Sequence, residues 1–170
     1  MSLADQYTYI ETQDLDLIRQ AAALIDNRDD NAHPLDHQGY CLSRAVIVAL
    51  APSGQLVGCA AIKQGEGDVA EMGYLVVHPD FRRQGIAQRL TQERVSRAKA
   101  LGIKLLWATV RDENLASKAN LNKAGWQFWH SFYSARGTGN IIDWFYLPLH
   151  DDVNVDALMQ SLVGDRLIVS

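Results

Sequence analysis

The sequence predicts an α/β chain of the α+β kind, and three observations carry that expectation. Short apolar runs with strand character are interleaved with two long helix-period stretches. Pro-Ser-Gly-Gln at 52–55 separates two β-rich runs and reads as a hairpin turn. Two aromatic runs near the end are joined through Arg136-Gly-Thr-Gly-Asn, a second turn signal. The resulting order is β-α-(α)-β-β-β-α-β-α-β-β, with no internal repeat, low-complexity tract or linker.

The first strand is expected from Gln6 to Thr12, where aromatic, aliphatic and polar residues alternate. Asp14 then caps a helix to about Asn27, with Leu17, Ile18, Ala21, Ala22 and Ile25 on its apolar side. The polar stretch Arg28 to Tyr40 reads as a loop or short helix. Strands follow at Ala45 to Ala51, Leu56 to Lys63 and Val69 to Val77. A helix runs from about Gly85 to Leu101 and stops at Gly102. Ile86, Ala87, Leu90, Ala98 and Leu101 share one of its faces. Arg94 falls inside that stripe, so its stem is expected to pack and its head to reach water. Leu105 to Val110 is a buried strand, and Asn114 to Ala124 a short helix ending at Gly125. Trp126 to Ser134 and Ile141 to Leu147 close the sheet, and Val155 to Val163 is an appended helix before a tail.

Composition excludes several classes. The 170 residues are 48% apolar and 21% charged, which suits one ordinary globular domain with a substantial core. The net charge of −4 argues against an electrostatic nucleic-acid binder. No apolar window is long enough to span a membrane, so no membrane partner is expected. The opening MSLADQYTY lacks the basic start and apolar stretch of a signal peptide. Cys41 and Cys59 have no metal-ligand spacing and form no disulfide framework, and read as reduced thiols of a cytoplasmic protein.

Charge is uneven along the chain. Between Arg82 and Lys104 seven bases oppose Glu93 alone, a local charge of +6, while residues 1–71 hold eleven acids against four bases. A charge run is usually a solvated helix face. Here it begins in a glycine turn that opens a helix, within Tyr74-Leu-Val-Val-His-Pro-Asp-Phe-Arg-Arg-Gln-Gly-Ile-Ala-Gln-Arg-Leu90. Such a turn aims several backbone N–H groups at one point beside the positive helix end. Gly85 removes a side chain where a phosphate would approach the backbone, and Arg82 and Arg83 add fixed charge. Phosphate or pyrophosphate is the expected ligand chemistry. A P-loop is excluded by the lack of Gly-Lys-Ser/Thr, and a dinucleotide fingerprint by the lack of its other glycines.

These residues resemble the GNAT N-acetyltransferases. Arg82-Arg83-Gln84-Gly85-Ile86-Ala87 fits that family's Gln/Arg-x-x-Gly-x-Gly/Ala signature, with Val-x-Pro upstream and Leu90 downstream. Asn114, Ser117, Lys123 and Gly125-Trp126 resemble its Asn…Ala…Lys-x-Gly-Phe segment. The resemblance covers about residues 6–149. It implies the GNAT acetyltransferase fold, a mixed central sheet of about six to seven strands flanked by helices. It implies a GNAT domain over residues 1–150, with 151–170 as a helical extension and tail of the same domain.

The resemblance also implies roles. Leu75, Val76 and Val77 would offer backbone groups to the pantetheine arm and the acetyl carbonyl of acetyl-CoA. The amides from Arg83 through Gln84, Gly85, Ile86 and Ala87 to Gln88 would wrap the pyrophosphate, with Arg82 at the rim. Asn114 would bond the pantetheine chain, or cap its own helix, or both, and Ser117 and Lys123 belong to the same segment. Glu71, six residues before Val77, matches the base glutamate of the histone-acetyltransferase branch. Partial burial of a carboxylate on a central strand would make it a better proton acceptor. The competing readings are a solvent-facing structural glutamate and, as another base, His78.

One position departs from the family. Many members carry Tyr seven residues after the Asn, to protonate the departing thiolate; here it is Leu121. A thiol is a tolerable leaving group without such help, and Tyr74, Tyr133 and Tyr146 are the candidate substitutes. His33, Asp36 and His37 lack a further strong ligand, so no metal is expected; their loop is placed instead at an acceptor pocket. Trp107, Trp126, Trp129 and Trp144 read mostly as core or interface, with Trp129 and Trp144 able to line an acceptor site or a homodimer face. The expectation is an acetyl-CoA-dependent N-acetyltransferase acting on a small-molecule, peptide or protein amine by direct attack in a ternary complex. The alternative is a non-catalytic acyl-CoA-binding or sensing module. A third reading, an acidic interaction domain, explains neither the glycine turn nor Asn114.

Overall fold

The computed structural model describes residues 3–27, 43–63, 67–135 and 137–169. Among these, seven strands hydrogen-bond in the order β1-β2-β3-β4-β5-β7-β6. They are β1 (Thr8–Glu11), β2 (Ala45–Leu50), β3 (Leu56–Ile62), β4 (Val69–Val77), β5 (Leu105–Arg111), β6 (Gln127–Tyr133) and β7 (Ile141–Pro148). The sheet is mixed, because β4 and β5 run parallel and the other pairs antiparallel. The described α-helices are α1 (Leu15–Asp26), α2 (Ile86–Ala100), α3 (Leu115–Lys123) and α4 (Val155–Val163). This is the mixed α/β architecture expected from the sequence. The chain divides into two compact units, residues 1–65 with 72–101 and residues 66–71 with 102–170.

In the first unit β2 and β3 are apolar without alternation because both faces are covered. Asp14 accepts from the Asp16 and Leu17 amides and starts α1. Ile18, Ala21, Ala22 and Ile25 then recur at helical spacing and pack on Val46, Val48, Cys59 and Ala61. The opposite face takes Ile47, Ala49, Val57 and Ala60 against Ile86 and Leu90 of α2. Gly58 permits this approach, since a Cβ there would lie 3.1 Å from Leu90 Cδ1 and 3.3 Å from Ile86 Cγ2. Each large side chain buried in these layers contributes roughly 1.5–3 kcal/mol.

Two expectations for α2 are corrected. Leu101 is its C-cap and 36% exposed, outside the buried stripe. The Arg94 head does not reach water: the residue is 3% exposed, and Nη1 donates to Gly73 O at 3.1 Å and Ala61 O at 3.4 Å. These carbonyls lie beside a bulge in β4. Its register with β3 runs from Ala61↔Gly73 to Cys59↔Val76, so Tyr74 and Leu75 together face Ala60. Tyr74 sits at φ +58°, a left-handed conformation costing a side-chain-bearing residue roughly 1–2 kcal/mol.

The second unit is built on β5, β7 and β6, with β4 joining through Val69↔Leu105, Ala70↔Leu106 and Glu71↔Trp107. Its core gathers Leu105, Phe132 and Trp144 against Met159 and Val163 of α4. Trp107 stacks on Trp144 with ring centroids 4.8 Å apart and planes 7° from parallel. Lys118 of α3 reaches Asp143 of β7 at 2.8 Å, and Ser131 Oγ donates to the same carboxylate at 2.6 Å. Residues 167–169 pair along β6 through Tyr133 N to Leu167 O and Val169 N to Ser131 O, each 2.9 Å. Among the described residues, no helix is long and apolar enough to cross a membrane.

Candidate functional site

The connection from β4 to α2 is the most specialised backbone of the first unit. Pro79 ends the strand and opens a short 3₁₀ turn, Pro79–Phe81, whose Asp80 amide donates to His78 Nδ1 at 3.1 Å. Arg82 then turns back, its Nε donating to Val77 O at 3.2 Å. Arg83 at φ +64° and Gly85 at φ +87° are both left-handed. Successive N–H groups in such a turn aim to one side of the backbone. Among the described residues, the amides of Arg83, Gln84 and Gly85 meet no acceptor. Those of Ile86, Ala87 and Gln88 lie in the first turn of α2, before the first intrahelical bond from Arg89 N to Gly85 O at 3.0 Å. Six consecutive donors therefore stand at the positive end of a helix with no acid in its first turn.

Side chains around the turn fix it rather than fill it. Tyr7 Oη donates to Gln84 Oε1 at 2.5 Å, and the Tyr7 ring meets Phe81 edge-on at 6.1 Å. Arg89 is engaged by Asp5 and Glu93, each at 3.1 Å, whereas Arg82 and Arg83 are exposed. The glycine at 85 is required by its φ rather than by crowding, since a Cβ would meet only Ala4 Cβ at 3.4 Å. A groove of about 480 Å³ runs from α1 to this connection and is lined in part by Leu24, Val76, His78 and Arg82, a volume in the range of small-ligand sites. Leu75, Val76 and Val77 follow the Tyr74 bulge on the same strand, all half-buried. Neither the bulge, nor the Arg94 contacts, nor the Tyr7 strut was foreseen from sequence. Arg94 alone had a signal, a charge inside an apolar stripe.

The other expected site residues lie in the second unit. Glu71 is half-buried and forms the last pair of the β4–β5 ladder, opposite Trp107. Asn114 caps α3, its Oδ1 accepting from the Ser117 amide at 3.1 Å, which is the capping role weighed for it. Ser117 is half-buried on that helix and Lys123 exposed in its last turn. Leu121 is half-buried, and its carbonyl accepts from the Trp126 amide at 3.0 Å.

Of the three tyrosines, Tyr74 packs beside the α1 core, Tyr133 is exposed, and Tyr146 donates to Gln127 Oε1 at 2.8 Å. Trp144 is 2% exposed, so the expectation that it lines an acceptor site or a dimer face is corrected: Trp107 stacks on it and the Arg166 guanidinium lies 5.3 Å from its ring. Trp129 is half-buried, with Nε1 donating to Asp156 at 3.2 Å. His33, Asp36 and His37, like the short helix weighed for their segment, lie outside the described residues. Among the described residues no group of His, Cys, Asp and Glu is arranged to hold a metal ion.

Residues 11–126 match the Acetyltransferase (GNAT) family. The chain belongs to this family. Within it, the amino-acid acetyltransferase of Pseudomonas fluorescens (strain Pf0-1) is 28% identical over 111 residues, which are 59% of this chain and 26% of the relative. The chain thus spans about a quarter of the length of that curated relative. Two solved structures illustrate the GNAT fold. The ribosomal-protein-S18-alanine N-acetyltransferase of Escherichia coli aligns with TM-score 0.69 at 16% identity, over 86% of this chain and 98% of that one. The yncA protein of Salmonella typhimurium, solved with its cofactor acetyl-CoA, aligns with TM-score 0.68 at 15% identity, over 86% and 96%. At these identities the likeness is one of fold.

Proposed function

We propose that the chain is a cytoplasmic acetyl-CoA-dependent N-acetyltransferase, and that the amides of Arg83 to Gln88 hold the pyrophosphate of the cosubstrate. The observation that carries this reading is the run of six N–H donors without acceptors among the described residues, at the start of α2. Backbone donors beside a helix N-terminus suit a dianionic diphosphate, and Arg82 and Arg83 add exposed positive charge, with no acid in the first turn of α2 to oppose them. Membership of the GNAT family makes acetyl-CoA the diphosphate to test first.

In the proposed reaction Glu71 takes a proton from the acceptor ammonium, directly or through a water. The freed amine attacks the thioester carbonyl, whose oxygen accepts hydrogen bonds from amides in the stretch Leu75 to Val77. The C–S bond breaks, the sulfur leaves with its electron pair and is protonated from water, the attacking nitrogen gives its second proton to water, and the amide product forms. Catalysis is then positioning plus stabilisation of the developing oxyanion, with no covalent enzyme intermediate. Asn114, Ser117 and Lys123 contribute to cosubstrate binding from α3. The acceptor is an amine of a small molecule, peptide or protein. The name of the Pseudomonas fluorescens relative puts amino acids first in an acceptor panel, and the acidity of residues 1–71 adds cationic amines.

Leu121 favours a second reading, an acyl-CoA-binding module without turnover, because that side chain can donate no proton. Calorimetry with acetyl-CoA and assay of thiol release with the amine panel decide between them. Binding with turnover is expected. Binding without turnover on any amine establishes the module, and no binding removes both readings.

A further inference from the structure

We infer that Arg94 is a positioning residue for the thioester: its buried guanidinium holds the two carbonyls of the last aligned β3–β4 pair before the bulge and so fixes the amides of Leu75 to Val77. The inference rests on the acetyltransferase reading, which gives those amides their task.

Nη1 of Arg94 bonds Gly73 O at 3.1 Å and Ala61 O at 3.4 Å. Gly73 and Ala61 are register partners, the last aligned pair before the ladder slips to Cys59↔Val76. Both carbonyls stand where a bulge interrupts the regular ladder, a place where added donors fix the backbone. Arg94 supplies one from α2. Its burial pulls the pKa down to about 10, which still leaves it charged at neutral pH, so both bonds are charge-assisted. Two further contacts grip the strained residue next door. Cys59 Sγ donates to Tyr74 O at 3.5 Å, and Lys63 Nζ lies 4.9 Å from the centre of the Tyr74 ring. The Lys63 stem crosses Gly73, where any Cβ would collide with its Cε.

Stability alone gives no reason for an arginine here. Among the described residues no carboxylate pairs with Arg94, and its Nε has no partner. A buried charge in that condition is generally worse for stability than an apolar side chain of similar size, and Leu90 and Ala98 on the same stripe show that the site accepts apolar residues. What an apolar residue cannot do is bond two carbonyls at the point where the strand departs from its ladder. A misplacement of about 1 Å at reacting groups costs on the order of a hundredfold in rate, so a clamp on this backbone has a function that packing lacks.

The test compares wild type, Arg94→Met and Arg94→Lys in CoA affinity, in kcat and KM with an amine the wild type uses, and in the infrared band of carbonyl-labelled acetyl-CoA. In wild type the bound carbonyl should absorb at lower frequency than the free thioester, because amides polarise it. Arg94→Met should keep CoA affinity within about twofold, since the α2 amides are untouched. Its carbonyl band should return toward the free value, and kcat should fall about tenfold with KM held. Arg94→Lys offers a single compact ammonium and should fall between the two in band position and kcat.

A folded Arg94→Met with the wild-type band and kcat overturns the proposal. If Arg94→Met does not fold, Arg94→Lys decides, and wild-type values there overturn it equally. A wild-type protein that binds no acetyl-CoA removes the acetyltransferase reading and this proposal together, whereas an unshifted carbonyl in a wild type that binds and turns over removes this proposal alone.

Discussion

The phenol of Tyr7 donates to Oε1 of Gln84 across 2.5 Å, joining two residues 77 positions apart in sequence. The bond ties the segment before β1 to the glycine turn and commits the Gln84 side chain to holding that turn in place. What the turn then presents is backbone N–H. Tyr7→Phe keeps the ring against Phe81 and removes only the strut. A hydrogen bond of this kind is worth about 1 kcal/mol net, so acetyl-CoA affinity should drop roughly three- to tenfold. Calorimetry showing the wild-type dissociation constant would mean that the turn holds its shape without Tyr7.

Gly85 separates two effects that the sequence alone runs together. At φ +87° it occupies a conformation that a side chain disfavours, although a Cβ there would make only ordinary contact with Ala4. Gly85→Ala should therefore cost about 1–2 kcal/mol in thermal unfolding with a moderate loss of CoA affinity. Gly85→Glu adds negative charge among the donors and should weaken acetyl-CoA at least tenfold, about 1.4 kcal/mol beyond any loss seen with alanine. Equal affinities for the alanine and glutamate variants would show that no anion binds there.

The seven strands and the helix starts were legible because each is written in local chemistry. Asp14 and Asn114 cap their helices, Pro-Ser-Gly-Gln makes the hairpin, and Gly85 opens α2. The glycine turn was legible for the same reason. The bulge was not, since a left-handed residue is expected to be glycine and this one is Tyr74. It is held among long-range contacts from Arg94, Cys59 and Lys63, which no local pattern records. Arg94 was misread for a related reason. A charged residue in an apolar stripe ordinarily extends to water, and here the sheet beneath offers two carbonyls as acceptors instead. Trp144 likewise carries no local mark of burial; its place comes from Trp107 and Arg166 packing against it.

Lys118 and Asp143 anchor α3 to β7 with the Asp143 side chain 6% exposed and that of Lys118 26%. Breaking such a pair leaves a charge without its counterpart. Lys118→Met, which leaves the Asp143 carboxylate with Ser131 Oγ, should destabilise the protein by roughly 3 kcal/mol in denaturant unfolding. The double variant Lys118→Met with Asp143→Leu should recover most of that loss. Additive losses in the double variant would show that the two groups do not act as a pair.

Glu71 is the one carboxylate that the proposed reaction needs. Glu71→Gln preserves shape and polarity but removes the proton acceptor. Turnover at neutral pH should fall on the order of a hundredfold while acetyl-CoA affinity is unchanged. A variant retaining activity within about twofold would assign the deprotonation to solvent and leave Glu71 a structural member of the β4–β5 ladder.

Leu121 is where the chain departs from the family pattern, and it supplies the sharpest test of the chemistry. A thiol ionises near pH 8.5, so the departing sulfur is close to stable as the thiolate and gains little from a positioned acid. General-acid help matters most for poor leaving groups. The wild type should therefore release thiol from acetyl-CoA measurably with at least one amine of the panel. Leu121 is only half-buried, and its carbonyl accepts from the Trp126 and Ala124 amides whatever the side chain. Leu121→Tyr should consequently fold and gain no more than about tenfold in kcat. The measurement is steady-state thiol release by both proteins at matched stability. Silence from the wild type on every amine, with strong turnover in Leu121→Tyr, would show that the missing hydroxyl is what separates this chain from an enzyme, and the acyl-CoA-binding module would replace the acetyltransferase as the better reading.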